Sequence, residues 1–266
     1  MSDIAAAFDA ARRDGRRAAL MPYLMGGFPD LEASRRIGIA GAEAGADLFE
    51  LGIPYSDPLA DGPVIHEAGT RALAAGATTA GVLDVGADLA ELVPVVVMCY
   101  ANLVYARGVD RFAADLAERG ISGLIVPDLP LEEGPDFLAA CDAHGVDLVP
   151  LVAPTTPDDR LALIGARARG FVYTVSVTGI TGERVGLAST ARDVLTRVRA
   201  HASVPVALGF GIASAADAAA AADAGADGVI VGSRLVRAAA EAAADGQDPA
   251  RAVARLVGEL SAGLSG

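Results

Sequence analysis

Ala44-Gly45-Ala46-Asp47-Leu48-Phe49-Glu50-Leu51-Gly52 reads as the end of a helix followed by a buried strand, and the pattern returns at Ala224-Gly225-Ala226-Asp227-Gly228-Val229-Ile230-Val231. A glycine closing a helical pattern is a common left-handed stop, and a short apolar run behind it suits a strand covered on both faces. Arg119-Gly120-Ile121-Ser122 and His144-Gly145-Val146-Asp147 are further copies, each again standing before an apolar run. Gly120 and Gly145 lie 25 residues apart, about the length of one strand–helix unit. The intervals Gly45 to Gly120 and Gly145 to Gly225 each leave room for roughly three such units. Filling those gaps predicts eight strands, at Ala18–Met25, Leu48–Leu51, Val93–Met98, Gly123–Val126, Leu148–Val152, Phe171–Ser176, Pro205–Leu208 and Gly228–Val231.

The segments between them carry helical signals. In Asp110–Glu118, Phe112 and Leu116 share one face, with Asp115 and Glu118 expected to point away. Thr156-Pro157-Asp158-Asp159 and Ser214–Asp217 read as helix starts, with a hydroxyl cap and early acids. Apolar strands alternating with helices imply a parallel sheet covered by helices. With 266 residues and no linker or shift in composition, the expectation is one domain over residues 1–266. Its fold class is α/β, a (β/α)8 TIM barrel with an extra N-terminal helix. An open doubly wound sheet is the competitor, although eight units in this length close more naturally than they stay open.

Composition excludes several classes of function. The net charge is −13, from 34 acidic and 21 basic residues, without a basic run, which argues against nucleic acid and anionic membranes. Every basic residue is arginine, so a Schiff base, lysine-bound pyridoxal phosphate and a Walker lysine are all excluded. His66, His144 and His201 are scattered without ligand spacing, and no metal site is expected. Cys99 and Cys141 form no CxxC pair and read as buried free thiols. The apolar runs are strand-length, and Met1–Arg17 lacks the apolar core of a signal peptide, so a cytoplasmic location is expected.

In such a barrel, chemistry collects at the C-terminal ends of the strands. Glu50 stands out there. Period-two alternation puts Phe49 and Leu51 toward the helix layer and turns Leu48, Glu50 and Gly52 into the barrel. A carboxylate buried without a partner costs several kcal/mol or takes up a proton. Such an arrangement suits a tuned acid or base, while a structural glutamate held by hydrogen bonds is the plainer reading. The loop Ile53–Pro63, stiffened by three prolines, returns a second carboxylate, Asp61, eleven residues later. Asp57 and Asp61 also fit as turn formers. Gly179-Ile180-Thr181-Gly182, Gly209-Phe210-Gly211-Ile212 and Gly232-Ser233 follow the last three strands. Three glycine-rich ends, with a helix starting near Ser233, suit a phosphate held by backbone N–H groups. Arg184 and Arg234 could assist, or could be surface charges.

At these residues the chain resembles the tryptophan synthase α chains. Phe49 through Ile65 carries that family's signature closely. Met98-Cys99-Tyr100-Ala101-Asn102, Val126-Pro127-Asp128-Leu129-Pro130, Ser176–Gly182, Gly209–Ile212 and Val231-Gly232-Ser233 follow in order. The resemblance implies cleavage of indole-3-glycerol phosphate to indole and glyceraldehyde 3-phosphate. It also implies a β-chain partner, in an α2β2 assembly, that carries the pyridoxal phosphate; no cofactor is expected in this chain. Carried over position by position, it puts Glu50, Asp61 and Tyr173 in the catalytic set. Gly182, Gly211, Gly232 and Ser233 fall on the phosphate, Tyr23, Met98 and Tyr100 around the indole, and Pro54, Asp57 and Asp128 toward the partner. Tyr23 stands where many relatives have phenylalanine, and Ile180 where valine is common. The loop Val177–Ser189, with three glycines, is expected to act as a lid.

With lysine absent and metal unexpected, the electron sink for breaking the carbon–carbon bond has to be the indole ring. Glu50 is the candidate for both proton transfers, and Asp61 for the indole N–H. A phosphosugar isomerase on the same barrel would use the same glycine loops but leaves the Glu50–Asp61 segment unexplained. A non-catalytic barrel that only regulates a partner fits the fold, but intact Glu50 and Asp61 argue against it. A lyase that works alone fits the residues equally well.

Overall fold

The computed structural model describes residues 2–175, 184–209 and 211–266. Along the chain run α1 (Asp3–Arg13), β1 (Ala19–Met25), α2 (Leu31–Glu43), β2 (Phe49–Gly52), α3 (Pro63–Ala74), α4 (Thr79–Ala90) and β3 (Val95–Met98). Then come α5 (Ala101–Arg107), α6 (Val109–Ala117), β4 (Gly123–Ile125), α7 (Pro135–His144), β5 (Asp147–Leu148), β6 (Leu151–Val152), α8 (Asp158–Arg167) and β7 (Val172–Val175). The last are α9 (Arg184–Arg199), β8 (Val206–Gly209), α10 (Ala215–Asp223), β9 (Gly228–Val231), α11 (Ser233–Ala244) and α12 (Pro249–Gly263).

All these strands pair in parallel, in the order β5-β4-β3-β2-β1-β9-β8-β7-β6. Nine strands replace the expected eight because the fifth is cut in two. Pro150 has no N–H to give the ladder, so Asp147-Leu148 pairs with β4 and Leu151-Val152 with β7. The two pieces still close the barrel. The Val149 N–H donates to the Leu124 carbonyl on one side, and the Pro150 carbonyl accepts from Tyr173 N–H on the other, each at 2.9 Å.

The four glycines of the repeat sit at positive φ, between 69° and 105°, where a side chain would be strained. The residue two places after each glycine enters the sheet. Asp47, Ser122, Asp147 and Asp227 donate their N–H groups to the carbonyls of Leu20, Val95, Ser122 and Val206. Asp47 and Asp227 answer the same neighbours with their carboxylates, accepting from Leu20 N–H at 2.7 Å and Val206 N–H at 2.9 Å. Arg16 pairs with Asp47, and Arg12 and Arg199 pair with Asp227. The repeated motif therefore holds together the N-terminal rim of the barrel.

Inside, residues alternate strand by strand as the period-two reading requires. Ala19, Met21, Leu48, Val96, Ile125, Val149, Phe171, Ala207 and Ile230 form one apolar cluster with Ile4, Phe8 and Ala11 of α1. The N-terminal helix thus plugs the base of the barrel. Gly123 and Gly228 make room for it, since a Cβ at either would press on Ile4 or Phe8. Phe49 and Leu51 face outward, where Gly41 of α2 and Gly86 of α4 admit them.

Two local expectations change. Asp115 of α6 does not point to solvent: it is buried and paired with Arg107 at 2.6 Å and Arg111 at 2.5 Å. The two long guanidinium chains lie over it and keep it ionised, so its carboxyl sits below the usual range. Thr156 does not cap α8, because its hydroxyl accepts from Ala153 N–H at 3.0 Å. Ser214 does cap α10, accepting from Asp217 N–H.

Replacing Asp227 by alanine leaves Val206 N–H and two arginines without their acceptor. The expected cost is about 1–3 kcal/mol, read as a melting temperature lowered by several degrees. Turnover per folded molecule should stay within about twofold, because the rim lies at the opposite end from the cavity.

Candidate active site

Above the apolar base, the barrel opens into a cavity of about 350 Å³. Its inner wall comes from the next inward-facing residues of the same strands: Tyr23 on β1, Glu50 on β2, Met98 on β3 and Tyr173 on β7. These side chains share the interior because each lies two residues beyond a residue of the base, Met21, Leu48, Val96 and Phe171.

Glu50 is fully buried, and neither carboxylate oxygen has a hydrogen-bond partner among the described residues. Burial, and secondarily the nearby Asp61 charge, push its carboxyl up to about 8. The plainer sequence reading, a structural glutamate held by hydrogen bonds, does not describe it. At neutral pH this group carries a proton and can give one.

Asp61 reaches the cavity from the loop between β2 and α3. Tyr100, which follows β3, fixes it there: the phenol donates to Asp61 Oδ1 at 3.0 Å and accepts from Ala60 N–H at 2.9 Å. Tyr55 packs against Tyr100, with ring centroids 5.3 Å apart, and its hydroxyl accepts from Asn102. Burial raises the Asp61 carboxyl, while the Tyr100 hydrogen bond and His66 oppose the rise. Asp61 is thus the carboxylate of the pair more readily kept ionised. The family resemblance puts Tyr100 around the indole, but it stands behind Asp61 instead of in the cavity wall. Sequence signals miss this because the clamp joins residues 39 apart on different strand ends.

The two tyrosines of the wall are seated alike. The Tyr23 hydroxyl lies where a Cβ on Gly52 would have to go, and the Tyr173 ring tip occupies the corresponding place at Gly209. In each case the glycine is two residues along the neighbouring strand from the tyrosine's partner, Glu50 or Ala207. A side chain at Gly52 or Gly209 would displace the ring.

The opposite end of the cavity is built from Gly211, Gly232 and Ser233, with Arg234 and Arg237 beside them. Ser233 begins α11, so the helix directs its first N–H groups and its positive end toward the same space. That end suits a phosphate group. Gly182, with positions 177–183 of the expected lid, and the Arg184 side chain lie outside the described residues, while the rest of that segment already belongs to α9.

Of the residues expected to face a partner, Asp57 is exposed and bonded to Ser56. Pro54 is buried within this chain and so supports the loop from below. Asp128 is exposed but already caps α5, accepting from Ala101 N–H at 2.9 Å. The exposed apolar group of this loop is Leu59, which sequence reading does not single out.

A larger cavity, of about 610 Å³, lies outside the barrel wall between α7 and α8. Its charged groups are engaged elsewhere: Asp142 with Arg169, Arg160 with Glu132, and Arg167 with the Leu131 carbonyl. It has no counterpart to the paired carboxylates.

Comparison with known proteins agrees with this geometry. The family model described as tryptophan synthase alpha chain matches residues 8–265. The tryptophan synthase alpha chain of Prochlorococcus marinus (strain MIT 9313) is 48% identical over 242 residues, covering 90% of this chain and 88% of its own length. That of Methanosarcina mazei is 45% identical over 252 residues, covering 95% and 91%. Among solved structures, Mycobacterium tuberculosis tryptophan synthase superposes with a TM-score of 0.91 at 42% identity, covering 99% of this chain and 98% of that one. The alpha subunit from Legionella pneumophila str. Paris also reaches 0.91, at 33% identity and with 99% and 98% covered. On sequence, length and barrel alike, the chain belongs to the tryptophan synthase α-chain family.

Proposed function

We propose that this chain cleaves indole-3-glycerol phosphate to indole and glyceraldehyde 3-phosphate, the α reaction of tryptophan biosynthesis, with Glu50 and Asp61 as its acid–base machinery. The observation that carries the reading is the pair of carboxylates in one cavity, facing a glycine-lined helix start. The family is a lyase family whose α chain has no cofactor of its own; pyridoxal phosphate belongs to the β chain with which it forms a complex. No helix among the described residues is long and apolar enough to cross a membrane. We take the cytoplasm as the site of action.

The phosphate seats against Gly211, Gly232 and Ser233, and the indole ring reaches down toward Glu50. Glu50, protonated at rest, gives its proton to the indole C3, and the ring becomes the electron sink. The resulting carboxylate then takes the proton of the adjacent glycerol hydroxyl. As the carbonyl forms, the electrons of the breaking carbon–carbon bond return to the ring and restore its aromaticity. Glu50 ends protonated, as it began. Asp61, oriented by Tyr100, accepts the indole N–H and stabilises the positive charge of the protonated ring. The exposed loop around Asp57 and Leu59 suits a docking surface for the β chain, with Pro54 holding it from beneath.

Glu50→Gln and Asp61→Asn should each lower indole formation by about 10²-fold or more, with KM changed far less. Turnover of Glu50→Gln within threefold of wild type would remove Glu50 from the mechanism. Gly232→Val should fold, since its first atom meets Tyr23 at ordinary contact distance. The added bulk takes ligand space, however, so inhibition by glycerol 3-phosphate should weaken by about tenfold or more. Unchanged inhibition would move the phosphate elsewhere.

Glu50 also makes a prediction about stability. Its folded carboxyl titrates near 8 and its unfolded one near the ordinary value, so the folded state binds the extra proton between the two. Stability must therefore fall as pH rises through that window. Glu50→Gln removes this loss. Its melting temperature should exceed the wild-type value at pH 8.5 by a larger margin than at pH 4.5, and an equal margin would show that Glu50 is not buried uncompensated.

A further inference from the structure

Tyr23 touches both ends of the cavity. The root of its ring lies 3.4–3.6 Å from the place of a Cβ on Gly232, at the phosphate end, and its hydroxyl rests over Gly52, at the carboxylate end. In the β1–β2 ladder it stands directly beside Glu50. Both side chains point inward and line the same space.

The proposed reaction, on which this inference rests, passes through a stage in which Glu50 is ionised inside the barrel. A buried carboxylate at that stage needs a donor, and neither oxygen has one among the described residues of the resting protein. Asp61 faces it as a second negative charge and cannot help. The Tyr100 hydroxyl is committed to Asp61 and Ala60. Met98, from the strand on the other side, carries no donor. Among the described residues of the inner wall two phenols remain, Tyr23 on the adjacent strand and Tyr173 on β7, which is four places from β2 in the sheet order. No described residue engages the Tyr23 hydroxyl in a hydrogen bond.

We propose that Tyr23 is a positioning residue for the proton transfers: its hydroxyl donates a hydrogen bond to Glu50 while Glu50 is ionised. Tyr23 itself keeps its proton throughout. Burial, then the charges of Asp61 and Glu50, hold the phenol well above its ordinary range, so ionising it would be harder than lending its hydrogen. The role is donation to a carboxylate, which favours the charged form and lowers the pH at which Glu50 can act as a base.

The test is the pH profile of indole release by Tyr23→Phe, with Tyr173→Phe measured in parallel. Tyr23→Phe keeps the ring and its packing. It should lower kcat by about tenfold, leave KM and inhibition by glycerol 3-phosphate within about twofold, and move the descending limb of kcat/KM, where the resting Glu50 loses its proton, upward by about one pH unit. An unmoved limb with kcat within twofold would overturn the proposal. So would a displaced limb in Tyr173→Phe with Tyr23→Phe silent, which would make Tyr173 the donor. Wild-type protein releasing no indole would instead remove the proposed function on which the inference depends.

Discussion

The packing of Ile4 and Phe8 against the inward side chains of the strands divides the barrel into two parts with different physics. Below that contact the interior is closed and apolar. Above it the same strands continue for one more inward residue each, and those residues meet a cavity instead of a helix. If the plug were missing, the base would be open to water from beneath. The carboxylate one layer up would then be solvated from below, with no reason to hold its proton at neutral pH.

Glu50 shows the cost of this arrangement. An apolar residue in its place would fill the layer without penalty, and a glutamate with donors around it would ionise at an ordinary pH. Neither occurs: the carboxyl is buried, unpartnered among the described residues and protonated, which destabilises the fold as pH rises and supplies an acid where the reaction needs one. Asp61, close in space but on a loop, lives in another regime. Partial exposure and a phenol donor work against its protonation, so the two carboxyls sharing one cavity are separated in strength by environment alone.

Rigidity in the site comes from pairs of residues that are distant in sequence. Tyr100 ties the Asp61 loop to the end of β3, and the glycines at 52 and 209 give the two wall tyrosines a single place to lie. The same economy appears at the other rim, where Asp47 and Asp227 each bind both backbone groups of one neighbouring residue. The rims perform opposite tasks: one fixes strand order, and the other leaves glycine backbone open for a ligand.

The sequence by itself determined the number and spacing of the units, the direction in which Glu50 points and the glycine-rich ends. Each of these depends on local periodicity: period two along a strand, a glycine stop after a helix, a short apolar run. Even the β5–β6 break is legible at Pro150, once the ladder's need for an N–H is considered. What only the tertiary structure decided is everything that depends on which atoms meet across the barrel. Asp115 looks solvent-facing on its helix and becomes buried because Arg107, eight residues away, folds back over it. Tyr100 looks like pocket lining and becomes the clamp of Asp61, while Pro54 looks like surface and becomes support. Local patterns say which face a residue takes. Burial, proton affinity and hydrogen-bond partners are set by neighbours that the chain brings together only when the sheet closes.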